Sequence, residues 1–370
     1  MPHIASALRQ AESALYLSAP NPRVGCVLVN PQGIVIGRGH TQKVGAPHAE
    51  VMALRNAQAQ GHSTQGATAY VTLEPCAHQG RTGPCCDALV QAGIARVVAS
   101  LQDPNPLVAG QGFARLRAAG IAVEVGPGAA ESRELNIGFF SRMQRSKPWM
   151  RLKVAASLDG ATALNNGQSQ WITGPQARTD GHAWRARACA ILTGVGTVLQ
   201  DKPQLDVRHV DTSRQPMLVI VDSALQTPAD AALFGPARKV LIYAAQPHAA
   251  RELALRQAGA EIVYLPGPLG EGDARSKVDL KAMAQDLARR ECNEIHIEAG
   301  HKLNGSLLRA GLVDELLVYL APMWLGQGAG MSTFGPLSAL AQGLTLDFQS
   351  TERVGADLRI LARVQGSADF

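Results

Sequence analysis

Aromatic residues are scarce, 4% of 370, and no run of Lys or Arg exceeds two residues. Neither base stacking nor phosphate neutralisation can dominate such a surface, so no nucleic-acid partner is expected. Long uncharged apolar runs are also missing. The longest, such as Cys189 to Gln200 and Leu316 to Gly328, fall short of the roughly 18–20 residues a spanning helix needs, and no membrane association is expected. The first residues, MPHIASALRQAESALYLSAP, are interrupted by Arg9 and Glu12 and form no signal-peptide core. Cysteine is sparse too: six, irregularly spaced, make no disulfide framework. The expectation is a cytoplasmic protein whose thiols are reduced and available to metal.

What is present is the composition of a globular protein: 46% apolar, 18% charged, and 35 Lys+Arg against 30 Asp+Glu, a net +5. At about 150 residues per domain the length favours two domains. Residues 5–17 place apolar side chains at helical spacing until the turn Ala19 to Pro22. Strands then alternate with helices: strands VGCVLV, IVIGRG, ATAYVTL, RVVAS and IAVEVG, and helices over HAEVMALRNAQAQG, around CCDALVQAG and at Gly112 to Ala119. This implies a sheet covered by helices, closing near residue 140. The polar, basic segment Ser141 to Trp149 reads as an exposed connection, which sets domains at 1–146 and 147–370. Beyond it, WMRLKVAAS, CAILTGV, PMLVIVDS, KVLIYAA, EIVYLP, EIHIEAG and ELLVYLAP are strand candidates separated by helix-like stretches, a second α/β domain. The first domain carries 12 Lys+Arg and 8 Asp+Glu (+4), the second 23 and 22 (+1). No internal repeat is found, so the two domains are expected to do different things.

The first constellation is His48-Ala49-Glu50 at a helix start, then Pro75-Cys76 after a strand and Cys85 nine residues on. One imidazole and two thiolates give Zn²⁺ three ligands and leave a fourth position for water, the open geometry of a catalytic site. His48 and Glu50, two apart, point in different directions, so one binds metal while the other addresses water and substrate. That is hydrolytic deamination chemistry, with Glu50 shuttling the proton. The usual C-x-x-C spacing of zinc deaminases is here widened to eight intervening residues, a loop that can carry His78 and Arg81 toward a phosphorylated substrate. Cys86 adjoins Cys85, but neighbouring side chains on a helix diverge, and Cys85 is the expected ligand. The plainer alternatives are a closed structural zinc site, or a buried histidine and unrelated core thiols. Cys26, Cys189 and Cys292 lie in apolar runs and read as core thiols.

The string TLEPCAHQGRTGPCCDAL closely resembles the deaminase half of the bifunctional riboflavin-biosynthesis deaminase-reductases. Supporting matches extend over nearly the whole chain: APNPRVGCVLV, GRGHTQKVGAPHAE, DPNP, GFFSRM, KPWMRLKVAASLDG, SQWITGPQAR and IEAGHKLNGSLL. The resemblance implies an N-terminal cytidine-deaminase-like α/β/α domain that deaminates a phosphoribosylated diaminopyrimidinone. It also implies a C-terminal dihydrofolate-reductase-like α/β domain that uses NADPH to reduce the ribosyl group to ribityl. Zinc then falls to His48, Cys76 and Cys85, proton transfer to Glu50, and substrate-facing positions to Asn21, His40, His78, Arg81 and Asn105. Taken alone, Asn21 and Asn105 equally serve NP turns.

No G-x-G-x-x-G occurs in residues 147–370. Gly300 to Ser306 has the glycine spacing of a phosphate loop without its Lys before the hydroxyl, and on its own is equally a plain strand-to-helix turn. The resemblance makes Gly300, His301, Lys302, Leu303, Asn304, Gly305 and Ser306 an NADPH-binding loop and adds Ala155, Trp171, Thr197, Asp201 and Ser223 as cofactor positions. Ser169, Arg185, Leu205, Arg208 and Glu298 match substrate positions, Arg185 and Arg208 being suited to hold the substrate phosphate. Without the resemblance, the arginines read as solvated surface groups and Leu205 and Trp171 as core. Lys153 and Asp159 lie near this site. A small phosphorylated pyrimidine is the expected substrate and a homo-oligomer, dimer or tetramer, the expected assembly. The competing classes are an RNA-editing deaminase, which the weak charge and sparse aromatics of the second half oppose, and a non-catalytic zinc protein, which has no use for Glu50.

Overall fold

A computed structural model describes residues 2–77, 83–106, 108–269 and 275–370. The chain divides into two compact units, Met1–Ser146 and Lys147–Phe370. The first is built on strands β1 (Gly25–Val29), β2 (Val35–His40), β3 (Thr68–Val71), β4 (Arg96–Ala99) and β5 (Ala122–Val125), in the spatial order β2-β1-β3-β4-β5. β1 runs antiparallel to β2 and β3, while β3, β4 and β5 are parallel. Its helices are α1 (Pro2–Glu12), α2 (Ala49–Ala59), α3 (Cys85–Gln91), α4 (Gln111–Ala118), α5 (Ala129–Leu135) and α6 (Ile137–Arg145).

Every residue of β1, Gly-Cys-Val-Leu-Val, is buried. Glycine lets the helices approach the sheet backbone to backbone: a Cβ on Gly25 would lie 1.9 Å from the Ala7 carbonyl oxygen of α1. A Cβ on Gly37 or Gly39 of β2 would lie 2.4 Å from the Ala53 or Ala49 carbonyl of α2. Ala49, Ala53 and Ala57 form the buried small-residue stripe that accepts this contact. The start of α2 is thereby fixed against the sheet, and residues 48–50 with it.

Two expectations need correction here. The first helix stops at Glu12 rather than continuing to residue 17. Past it Ser13 N and Ala14 N donate to Gln10 O and Ala11 O, the tighter i→i−3 pattern that winds down the helix ahead of Pro20 and Pro22. Nor is Ser141 to Trp149 an exposed connection: α6 runs through Arg145, and Ser141 and Trp149 are buried. Basic residues on the outer face of an amphipathic helix gave the segment its linker-like composition.

The second unit contains β6 (Trp149–Ser157), β7 (Ala163–Leu164), α7 (Pro175–Arg187), β8 (Ala190–Gly194), α8 (Val195–Asp201), β9 (Met217–Val221) and β10 (Val240–Ala244). There follow α9 (Ala249–Gln257), β11 (Ala260–Tyr264), α10 (Leu280–Arg289), β12 (Glu294–Ile297), α11 (His301–Arg309), β13 (Glu315–Ala321), β14 (Gly328–Ala329), β15 (Leu346–Val354) and β16 (Asp357–Val364). The main sheet has the order β11-β10-β9-β8-β12-β6-β13-β16-β15. Its first seven strands are parallel and its last two antiparallel. Strands β9 and β10 are unbroken apolar runs because helices cover both faces, and Leu152, Leu192, Val219, Leu241 and Ile295 of the parallel strands share one core.

From β8 the chain steps outward through β9, β10 and β11, then returns to insert β12 beside β8 and crosses to β13. The connections leaving β8 and β12 therefore diverge, and the crevice at their carboxyl ends is where a doubly wound sheet offers a ligand site. The opposite, amino-terminal rim carries a buried charge network. Arg151 donates to Glu294 (3.1 Å) and pairs with Glu315, Arg187 reaches Glu294 (2.7 Å) and Arg363 reaches Glu315 (3.1 Å). Trp184 stacks under Arg151, 4.5 Å from ring centre to guanidinium carbon.

Two candidate active sites

In the first unit, α2 and α3 aim their N-termini at one point. His48 is the N-cap of α2, Glu50 lies in its first turn, and Cys85 is the first residue of α3 after Pro84. His48 Nδ1 lies 3.6 Å from Cys76 Sγ and 3.3 Å from Cys85 Sγ, and the three ligand atoms all lie within 4.8 Å of one another. Zn–N of about 2.0–2.1 Å and Zn–S of about 2.3 Å at the tetrahedral angle give an N···S edge of about 3.6 Å, so this donor set fits zinc without rearrangement. The backbone amide of Cys85 donates to Cys76 Sγ (3.3 Å), a bond that favours thiolate. Cys86 turns the other way, its thiol donating to the Pro75 carbonyl (3.1 Å).

The electrostatics suit the same reading. Cys76 is drawn down, first by the thiol of Cys85 and then by His48, whereas the hydrogen bond to Cys76 and burial hold Cys85 up: the pair shares a proton that a dication would displace. The hydrogen bond with Cys76 raises His48 despite its burial. Glu50 is 3% exposed, and burial followed by the nearby Cys76 charge pushes its carboxyl up to about 7. It is a carboxyl able to hold or give a proton at neutral pH.

Asn21 lies in the turn after α1, its carbonyl accepting from Ser18 Oγ (3.2 Å). His40 ends β2, opposite Gly25, and half-burial lowers its pKa. Asn105 follows Asp103 in a turn closed by the Asp103 carboxylate on Asn105 N (2.8 Å). His78 and Arg81 lie outside the described residues. Sequence reasoning missed Glu74. Buried next to Pro75-Cys76, its carboxylate accepts from the amides of Asp103 (3.1 Å), Gly110 (2.9 Å), Gly112 (2.8 Å) and Phe113 (3.2 Å), tying the 103–113 segment to the metal-ligating loop. The signal was an acidic residue three positions beyond β3, directly before Pro75-Cys76.

In the second unit, a cavity of about 1340 Å³ opens at the crevice between β8 and β12. Ala155, Ser169, Trp171, Arg185, Thr197, Asp201, Leu205, Arg208, Glu298 and residues 300–304 line it, together with Lys153 and His182. The starts of α8 and α11 face each other across it. A Cβ on Gly196 would meet nothing within 4 Å, whereas one on Gly194 would press Leu303 Cδ2 at 3.0 Å. Bare backbone amides at two helix starts fit the pyrophosphate of a dinucleotide, and the volume accommodates cofactor and substrate together.

At the cavity's polar end Arg185 grips Glu298 with both nitrogens, Nη2 at 2.9 Å, and donates Nη1 to the Asp206 carbonyl (2.9 Å). Lys153 Nζ stands 3.6 Å and His296 Nε2 3.3 Å from the same carboxylate. Burial pushes the Glu298 carboxyl up, but Arg185 and Lys153 outweigh it and hold the group well below the usual range. Burial, and after it Arg185 and Arg208, lower His182 to about 4. Arg208 is the accessible guanidinium, its side chain 47% exposed, on a segment where Lys202, Leu205 and His209 all adopt positive φ. Three non-glycine residues in the left-handed region within eight positions mark a backbone held for a purpose.

Four expected positions are placed elsewhere. Ser223 lines a smaller neighbouring cavity. Gly305 is turned onto Thr333, whose carbonyl carbon would be 2.6 Å from an added Cβ, and Ser306 Oγ donates back to Lys302 O (3.1 Å). Asp159 accepts from the amides of Leu325 (3.1 Å) and Gly326 (2.7 Å), fastening that loop rather than facing the cavity.

Residues 2–101 match the cytidine and deoxycytidylate deaminase zinc-binding region, and residues 148–360 match the RibD C-terminal domain. The riboflavin biosynthesis protein RibD of Escherichia coli K12 is 44% identical over 369 residues, 96% of this chain and 97% of that protein. The chain belongs to the RibD family. Among solved RibD structures, that of Acinetobacter baumannii is 40% identical with a TM-score of 0.88, covering 98% of both chains. The Thermotoga maritima diaminohydroxyphosphoribosylaminopyrimidine deaminase/5-amino-6-(5-phosphoribosylamino)uracil reductase is 29% identical with a TM-score of 0.85, again over 98% of each. As a RibD, the chain is a bifunctional enzyme of riboflavin biosynthesis, with a zinc-binding deaminase domain and a reductase domain of the NADPH-dependent type. No described helix is long and apolar enough to cross a membrane.

Proposed function

We propose that the first site deaminates 2,5-diamino-6-(5-phosphoribosylamino)pyrimidin-4(3H)-one and that the second reduces the ribosyl side chain of the product to ribityl. The observation that carries the reading is the co-occurrence, in one chain, of a three-ligand tetrahedral cluster beside a buried carboxyl and a cavity whose two helix starts face each other. Zinc held by His48, Cys76 and Cys85 supplies Lewis-acid activation of water, and NADPH supplies a hydride. The chain's own residues do the rest. Glu50, by its burial and raised affinity for protons, takes a proton at its carboxylate from the attacking water and delivers it to the amino nitrogen, which leaves as ammonia as the C–N bond breaks and C–O forms. Asn21, His40, His78, Arg81 and Asn105 orient the substrate.

In the reductase site, residues 300–304, Ala155, Trp171, Thr197 and Asp201 hold the cofactor. Ser169, Leu205, Arg208, Arg185 and Glu298 hold the substrate, so that hydride reaches C1 of the ribosyl unit. Arg208, paired with Asp206 but with its side chain 47% exposed, takes the phosphate first, since Arg185 is more buried and held by Glu298. A paired assay on the purified chain tests the reading by measuring zinc content, ammonia release and NADPH oxidation. About one zinc per chain, with NADPH oxidation appearing only after deamination, is expected. Ammonia release without NADPH oxidation would remove the reductase half of the proposal.

The enzyme works, on this reading, in the cytoplasm and as a homo-oligomer. Leu340 is 100% exposed, Trp324 74% and Phe348 73%, apolar area that a second copy would cover. Sedimentation velocity should give a dimer or tetramer, and Phe348→Asp should shift it toward monomer; a wild-type monomer at micromolar concentration would contradict the assembly.

A further inference from the structure

His182 lines the large cavity, is 6% exposed and has no part in the steps above. It stands on α7 three residues before Arg185, so both side chains leave the same face of the helix. Both meet one segment. Arg185 Nη1 donates to the Asp206 carbonyl (2.9 Å), and two residues on, Arg208 N donates to His182 Nδ1 (3.0 Å). The His182 ring also packs edge-on against His209, with centroids 5.0 Å apart and planes at 82°. Leu205 and His209, on either side of this bond, hold φ of 51° and 61°, a region unfavourable to non-glycine residues unless contacts fix it. Gln215 fixes Val207 separately, accepting from its amide (2.7 Å) and donating to its carbonyl (2.9 Å). Arg185 and Gln215 thus secure the course of the segment, and the bond to His182 sets the direction in which the Arg208 side chain leaves it.

We infer that His182 is a positioning residue for the phosphate of the reductase substrate: it holds the Arg208 backbone so that the guanidinium meets the phosphate, and so gives the phosphorylated substrate its advantage over an unphosphorylated one. The inference rests on the reading of Arg208 as the phosphate ligand. The Arg208 guanidinium is itself gripped at Nη1 by Gln204 Oε1 (2.6 Å) and by the Asp206 carboxylate. A guanidinium held at one nitrogen retains a two-donor edge for a phosphate. With its backbone and one nitrogen both fixed, little conformational freedom is left for the phosphate to freeze, which lets an accessible arginine bind tightly. The imidazole suits the acceptor role. Burial, then Arg185 and Arg208, keep it neutral, so its Nδ1 lone pair is open to the Arg208 amide and its proton sits on Nε2. An asparagine in its place would set a carbonyl oxygen near the Nδ1 position, a glutamine would carry it to the Nε2 position instead, and an alanine would leave the Arg208 amide without its acceptor.

Steady-state kinetics of the full-length enzyme, followed by NADPH oxidation, test this with the deaminated phosphoribosyl substrate and with the same compound lacking its phosphate as a competitive inhibitor. His182→Ala should raise KM for the phosphorylated substrate by about tenfold or more, with kcat, KM for NADPH and the inhibitor's Ki all within about twofold of wild type. His182→Asn should recover most of the loss. His182→Gln, which keeps a polar side chain but moves the acceptor, should not, and it takes the place of the alanine variant if that one does not fold. In an Arg208→Ala background, itself raised in KM, His182→Ala should add less than about twofold. Equal weakening of the phosphorylated and unphosphorylated compounds, equal KM in the asparagine and glutamine variants, or a full additive loss in the Arg208→Ala background would overturn the inference and leave Arg208 as the phosphate ligand. Arg208→Ala with the wild-type KM would overturn both.

Discussion

Glu50→Gln should retain its zinc and lose deamination by about 10²–10⁴-fold, the range that a positioned proton carrier contributes. The substitution keeps side-chain volume in a position only 3% exposed, so packing of α2 on β2 is preserved. None of the three ligand atoms belongs to Glu50, so metal stoichiometry should not change. What disappears is a group that can alternate between protonated and ionised forms, and burial keeps solvent from standing in for it. The measurement is metal analysis alongside ammonia release, with reduction of separately prepared deaminated substrate as the internal control in the same chain. Unimpaired ammonia release would remove Glu50 from the chemistry.

Glu298→Ala is expected to cost the second unit about 3–5 kcal/mol, because it strands Arg185 and Lys153 beside a largely buried site with no counter-charge. Loss of NADPH oxidation should accompany it. The folded-state pKa of this carboxyl is depressed, so its contribution is fully present above the ordinary glutamate value near 4.5 and fades as pH falls through the lower folded value. Wild type and variant should therefore converge in stability only in strong acid. Urea unfolding followed by probes of each unit separately is the appropriate measurement, since two compact units need not unfold together. A change below about 1 kcal/mol at pH 7 would mean that water already satisfies the cluster.

The sequence made some features legible and concealed others for identifiable reasons. The metal triad was readable because its ligands sit at the ends of strongly patterned elements, β3, α2 and α3, where spacing survives folding. The parallel strands were readable from short runs rich in apolar residues, unbroken in β9 and β10. Strands β15 and β16 were not: β15 is exposed along most of both faces, so no period-2 signal is written into it. The phosphate loop was half readable. Gly300 to Asn304 line the cavity, but Gly305 is spent on packing against Thr333, which glycine spacing alone cannot distinguish. Glu74 was invisible as a clamp because its four amide partners lie 29 to 39 positions away.

The charge network around Arg151 lies at the amino ends of the same strands whose carboxyl ends carry the reductase cavity. Strand direction thus separates two kinds of tolerance. Loops at the carboxyl rim can be rebuilt to accept a different sugar or a different nicotinamide dinucleotide while the sheet keeps its register. The amino rim, where each charge is already committed to a partner, offers an engineer almost nothing to change. A library confined to residues 162–173, 196–209 and 298–304 would sample new specificities on an intact scaffold, whereas one of equal size around Arg151, Glu294 and Glu315 would mostly return chains that do not fold.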